Sequence, residues 1–159
     1  MRSFDTALPL LPLQPVLGRI VRSVARHRPG IFSRIGSHTE KTFLIDPVNL
    51  PFCLLLQPSP SKPCLRAVRR NRAAQKYDAR IAGSFLTLLD MVDGRLDGDA
   101  LFFSRDLIVE GDTEAVVCLR NALDDLDGSI TDDVARLFGP PGRIGLSFLR
   151  RVRGNHHDR

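Results

Sequence analysis

The sequence predicts an α/β chain of the α+β kind, a single domain in which short strands come first and strands then alternate with amphipathic helices. Three observations carry this expectation. The chain has 159 residues, 43% hydrophobic and 26% charged, which are globular values at a length that supports one core. Residues 43–45, 52–57 and 65–70 are short apolar runs separated by DPVNLP and PSPSKP. Proline-rich separators of this kind end strands and make loops. Beyond residue 84, apolar side chains recur at i, i+3, i+4 and i+7, the signature of helices with one buried face.

Taken in order, the chain opens with ALPLLPLQPVLG at 7–18, its longest uncharged run with few polar residues. This run is too short and too rich in proline to cross a bilayer. It also lacks the basic start, apolar stretch and small-residue cleavage site of a signal peptide. A cytoplasmic protein is expected. From Pro15 the pattern turns helical, with Val16, Leu17, Ile20, Val21 and Val24 on one stripe and Arg19, Arg22 and Arg26 off it. Pro15 suits the first turn, and Pro29-Gly30 ends the element. Two readings stand. The stripe docks on the domain's own core, or the helix lies on a membrane or in a partner's groove. In the membrane reading, Val16, Leu17, Arg19, Ile20, Val21, Arg22, Val24 and Arg26 make the contact.

Residues 31–41 read as a polar connector. The three apolar runs that follow, Phe43–Ile45, Phe52–Gln57 and Leu65–Arg70, form an antiparallel meander. The basic run RRNRAAQK (69–76) marks a hairpin or strand end. Asp78–Ala82 is a further strand. Ser84 then caps a helix through Phe85, Leu88, Leu89 and Val92 that closes at Asp93-Gly94. Leu107–Val109 is the next strand. Asp112 or Thr113 caps a helix over about 113–127, with Val116, Leu119, Leu123 and Leu126 as its buried stripe and Gly128 as its stop. Asp124, Asp125 and Asp127 sit where the helix dipole disfavours anions. They face solvent, the chain's own arginines or a basic partner. Thr131 caps a short helix to Phe138, and GPPG (139–142) breaks it. The tail from Arg143 sets Ile144, Leu146, Phe148, Leu149 and Val152 among arginines, as a second amphipathic helix would.

Charge is divided unevenly. Residues 1–76 carry 13 Lys+Arg against 3 Asp+Glu, residues 77–139 carry 5 against 14, and residues 140–159 carry 5 against 1. The basic faces favour an anionic partner such as phospholipid, or else the two halves neutralise each other. Nucleic acid is disfavoured: the best-formed helices lie in the acidic part, and one Tyr with no Trp leaves few stacking platforms.

Catalytic motifs are missing from the sequence. There is no GxSxG, HExxH, P-loop or GxGxxG. His27, His38, His156 and His157 lie away from the expected core. Cys53, Cys64 and Cys118 have no CxxC spacing, so no metal site or full disulfide set is expected. A calcium loop starting at Asp97 would put Leu101 in a ligand position and Phe102 where glycine is needed. These readings point away from an enzyme, a cofactor or a metal.

The run Asp99, Leu101, Phe102, Phe103, Arg105, Leu107, Val109, Glu110, Gly111, Asp112, Thr113 and Glu114 fits the pattern D-x-L-F-F-x-R-x-L-x-I/V-E-G-D-T-E. It resembles the signature of sterol-carrier-protein-2 (SCP2)-like domains. It is most similar to a bacterial branch, the UbiT-like accessory factors of oxygen-independent ubiquinone biosynthesis. The preceding YDARIAGSFLTLLDMVDG has the expected strand-then-helix form. The resemblance is strong over about 78–127 and one of pattern elsewhere.

It implies an antiparallel or mixed five-stranded sheet with helices on one face and an apolar tunnel between them, plus the N-terminal amphipathic helix. The parts are then residues 1–37 as helix and connector, 38–138 as the SCP2-like lipid-binding domain and 139–159 as a basic tail. The implied function is non-catalytic binding of isoprenoid quinone precursors or phospholipid, at the inner membrane's surface, beside peptidase-family ubiquinone hydroxylation proteins. Candidate walls are Phe85, Leu88, Leu89, Phe102, Phe103, Leu107, Val109, Val116, Leu119 and Leu123. The alternative is a scaffold with a filled cavity that docks biosynthetic partners.

Overall fold

Alternation along the strands decides which side of the sheet each residue serves. The computed structural model describes residues 10–70, 76–93, 105–125, 132, 135–136 and 139–154. Its elements are α1 (Leu13–His27), α2 (Gly30–Ile35), a 3-10 turn (Gly36–His38), β1 (Phe43–Pro47), β2 (Phe52–Gln57), β3 (Cys64–Arg69) and β4 (Ala79–Gly83). They continue with α3 (Phe85–Asp93), β5 (Ile108–Gly111), α4 (Thr113–Asp124) and α5 (Gly139–Gly154).

The five strands form one sheet in the order β3-β2-β1-β4-β5. The expected meander is present, since β1 pairs antiparallel with β2 and β2 with β3. The sheet is mixed because β4 runs parallel to β1, with Phe43 opposite Ala79 and Ile45 opposite Ile81. β5 returns antiparallel to β4. Phe43, Ala79 and Ile81 are buried with Ile31, Ile35, Leu88, Met91, Val116 and Leu119 in one core. Helices α1 to α4 therefore cover one face of the sheet.

Both expected caps form. The Ser84 hydroxyl accepts the Thr87 N–H at 3.1 Å at the start of α3. At α4 the choice falls on Asp112, whose carboxylate accepts the Ala115 N–H at 3.0 Å. Asp112 also pairs with Lys41. At the other end of α4, Arg34 meets Asp125 at 2.6 Å and Arg120 meets Asp124 at 3.3 Å. These acids thus face the chain's own arginines, and basic and acidic halves meet inside one body.

Three expectations are corrected. The polar connector at 31–41 holds α2 and the 3-10 turn, and Ile31 and Ile35 are buried. Six residues are too few to display a helical period, and packing on α4 stabilises what local propensity does not. GPPG opens α5 instead of ending an element, because proline is tolerated in a first helical turn. Strand boundaries shift by one or two residues, most at β5, which runs to Gly111. The expected helix from Thr131 to Phe138 lies largely outside the described residues.

Candidate functional site

Between the sheet and its helices lies a cleft of about 270 Å³ that reaches the surface. The sheet supplies its floor through Ile45 and Pro47 of β1, Leu54 and Leu56 of β2, and Leu65 of β3. Register explains this set: Leu54 and Leu56 are two apart on β2, and Leu65 lies opposite Leu56. Pro58 and Pro63, from the loop between β2 and β3, close one side. The roof comes from Ile20, Val21, Val24 and Ala25 of α1 and from Ile31, Phe32 and Ile35 of α2. Phe85, Leu88, Leu89, Met91 and Val92 of α3, with Leu119 and Leu123 of α4, complete the wall. None of these side chains carries a polar group.

Such a wall selects by chemistry. Each methylene moved into it from water gains about 0.8 kcal/mol. A polar group that entered without a hydrogen-bond partner would lose about 1–3 kcal/mol. The arrangement therefore suits an apolar chain whose polar head stays at the mouth.

The titratable groups Asp46, Cys53 and Arg80, on β1, β2 and β4, lie on the sheet's opposite face. Asp46, between Ile45 and Pro47, points away from the cleft and is buried. Its carboxylate binds Arg70 at 2.6 Å and Arg80 at 2.5 Å, and accepts the Cys53 thiol at 3.4 Å. Burial pushes the Asp46 carboxyl up, but the hydrogen bonds from Arg80, Arg70 and Cys53 outweigh it and hold it below the ordinary value. Burial likewise pushes the Cys53 thiol up, and the Asp46 charge adds to the effect. A thiol held protonated is a poor nucleophile. Arg70 also donates to the Pro47 and Leu50 carbonyls, so the cluster clamps the β1–β2 turn. No group of three or more metal-ligating side chains occurs among the described residues.

Of the expected wall residues, Phe85, Leu88, Leu89, Leu119 and Leu123 line the cleft. Leu107, Val109 and Val116 pack in the core instead. Phe102 and Phe103 lie outside the described residues. In α1 the stripe is turned inward: Leu17 is buried and Ile20, Val21 and Val24 face the cleft, while Arg19, Arg22 and Arg26 are exposed. Val16 is half-buried. The sheet floor and α2 were not anticipated as wall. The unbroken apolar run in FCLLLQ, which puts apolar side chains on both faces of the sheet, carried a signal for the floor, whereas α2 offered none.

The sequence of residues 33–124 matches the SCP-2 sterol transfer family. The chain belongs to that family. The match takes in the whole sheet, α3 and α4, so α1 and α5 flank the SCP-2 region. Among solved structures, one described as a UbiJ-SCP2 ubiquinone synthesis protein is similar at a TM-score of 0.53 and 17% identity, covering 78% of this chain and 94% of that one. Sterol carrier protein 2 from Yarrowia lipolytica, in its apo form, is similar at a TM-score of 0.48 and 13% identity, covering 71% and 88%. No curated protein matches the chain in sequence. No helix among the described residues is long and apolar enough to cross a membrane.

Proposed function

We propose that this SCP-2 chain is a non-catalytic carrier that takes the apolar chain of an isoprenoid quinone precursor or a phospholipid into its cleft, as an accessory to ubiquinone synthesis. The observation that carries the reading is the wall itself, built from the floor residues of three strands, β1 to β3, and from four helices without one polar side chain. The ubiquinone assignment draws support from the likeness to the UbiJ-SCP2 protein and from the run ending Glu110-Gly111-Asp112-Thr113-Glu114.

In this reading α1 is the lid. Its inner face completes the wall, and Arg19, Arg22 and Arg26 on its outer face draw the protein to anionic lipid on the cytoplasmic side of the inner membrane. Peptidase-family hydroxylation proteins are the partners to which the cargo passes.

Native mass spectrometry of the full chain purified from cells tests the reading. A mass increment that organic extraction identifies as a quinone precursor or phospholipid is expected. Protein that is ligand-free, and that elutes with a partner, would replace the carrier by a scaffold.

A further inference from the structure

The C-terminal helix, α5, presents three large apolar residues to solvent. Ile144 is 70% exposed, Phe148 67% and Val152 38%. They recur every four residues and so share one stripe of the helix. The same sixteen residues include Arg143, Arg150, Arg151 and Arg153 and no acid. This combination contrasts with α1, whose Arg19, Arg22 and Arg26 are exposed but whose apolar stripe is spent on the cleft.

We propose that α5 is an interfacial anchor, whose Ile144–Phe148–Val152 stripe enters the headgroup–acyl boundary of an anionic lipid surface while its arginines bind the headgroups. Sixteen residues that include four arginines cannot span a bilayer, and a basic helix with an exposed apolar stripe lies in the interface instead. Charge selects lipid over the other occupants. Two copies of α5 packed stripe to stripe would bring eight arginines together with no acid in either helix. The acidic end of α4 is already paired through Arg34–Asp125 and Arg120–Asp124. The inference does not depend on what the cleft holds, since an empty protein would insert equally well.

The chain contains no Trp, so Phe148→Trp in the full-length protein is a single reporter. It is titrated with phosphatidylcholine vesicles that contain or lack phosphatidylglycerol, with and without brominated acyl chains. The expected result is a blue-shifted emission that bromine quenches, seen only with phosphatidylglycerol and weakened by salt. Adding Ile144→Asp, at an exposed position, should weaken this binding by about tenfold and leave the melting temperature in place. A protein that binds vesicles with unshifted emission overturns the proposal, because the contact then lies elsewhere. So does absence of vesicle binding, or a blue shift that grows with protein concentration in the absence of lipid, which would assign the stripe to a second copy.

Discussion

Gln14 and Ala67 exchange two hydrogen bonds: the Gln14 side-chain amide donates to the Ala67 carbonyl at 2.7 Å, and the Ala67 N–H donates back to Gln14 Oε1 at 3.1 Å. β3 is an edge strand, and an edge leaves backbone groups unpaired. Here a side chain from the first turn of α1 takes the place of a neighbouring strand. The latch fixes α1 beside β3, so that Ile20, Val21 and Val24 fall over the cleft.

Gln14→Ala should loosen that lid without unfolding the sheet. Two hydrogen bonds at a half-buried site are together worth about 1–2 kcal/mol. Hydrogen exchange at the Ala67 amide should accelerate by about tenfold, and a fluorescent fatty-chain probe should leave the cleft faster. Unchanged exchange at Ala67 would mean that α1 is held by its apolar stripe alone.

The cluster behind the sheet gives a pH dependence. The folded Asp46 carboxyl lies below its ordinary 3.8, so the unfolded chain binds the proton more readily. The stability that Asp46 contributes is fully present above about pH 4 and is lost as pH falls through the depressed folded value. Asp112, lowered by its hydrogen bonds from Lys41 and the Ala115 N–H, acts in the same direction. Asp46→Asn should therefore cost about 2 kcal/mol at neutral pH, less than a fully buried pair because both arginines reach solvent. Thermal melts should show the gap between variant and parent closing on acidification below pH 4. A constant gap would remove the ionic account.

How much of this was legible beforehand depended on period. Phe52–Gln57 is a strand-length apolar run bounded by prolines, Phe85–Val92 displays a full helical repeat, and both elements appear where the pattern put them. Wall residues Phe85, Leu88 and Leu89 follow from the same helical spacing. Leu107 and Val116 have equally apolar character but pack in the core, because sequence reports that a side chain is buried and not against what. The parallel pairing of β1 with β4 joins residues far apart in sequence, and no local spacing encodes it. α2 and the Gln14 latch are likewise tertiary: one is a single helical stretch too short to repeat, the other a glutamine among prolines.

Gly111 permits the bend before α4, and the reason is geometric. Its φ is +82°, and a Cβ there would lie 2.3 Å from the Asp78 carbonyl oxygen. That oxygen also accepts the Asp112 N–H at 2.9 Å, so it cannot retreat without breaking the junction of β4, β5 and α4. Gly111→Ala should cost about 2–3 kcal/mol and lower the melting temperature by about 5–10 °C. A melt within a degree of the parent would show that the turn has another conformation available.

Filling the cleft separates carrier from scaffold without disturbing the surface. Ala25 lines the roof on α1 and is only half-buried, so a larger side chain there can grow into the cleft. Ala25→Phe would bury a ring against Leu54, Leu56 and Leu88, a gain of up to about 2 kcal/mol that offsets the ordering of the ring. The melting temperature should hold or rise, while co-purifying lipid falls by about tenfold because the space it occupied is taken. Stability and ligand content thus move in opposite directions, which a simple folding defect cannot produce. Should the variant carry as much lipid as the parent, the chain must bind elsewhere than between α1 and the sheet.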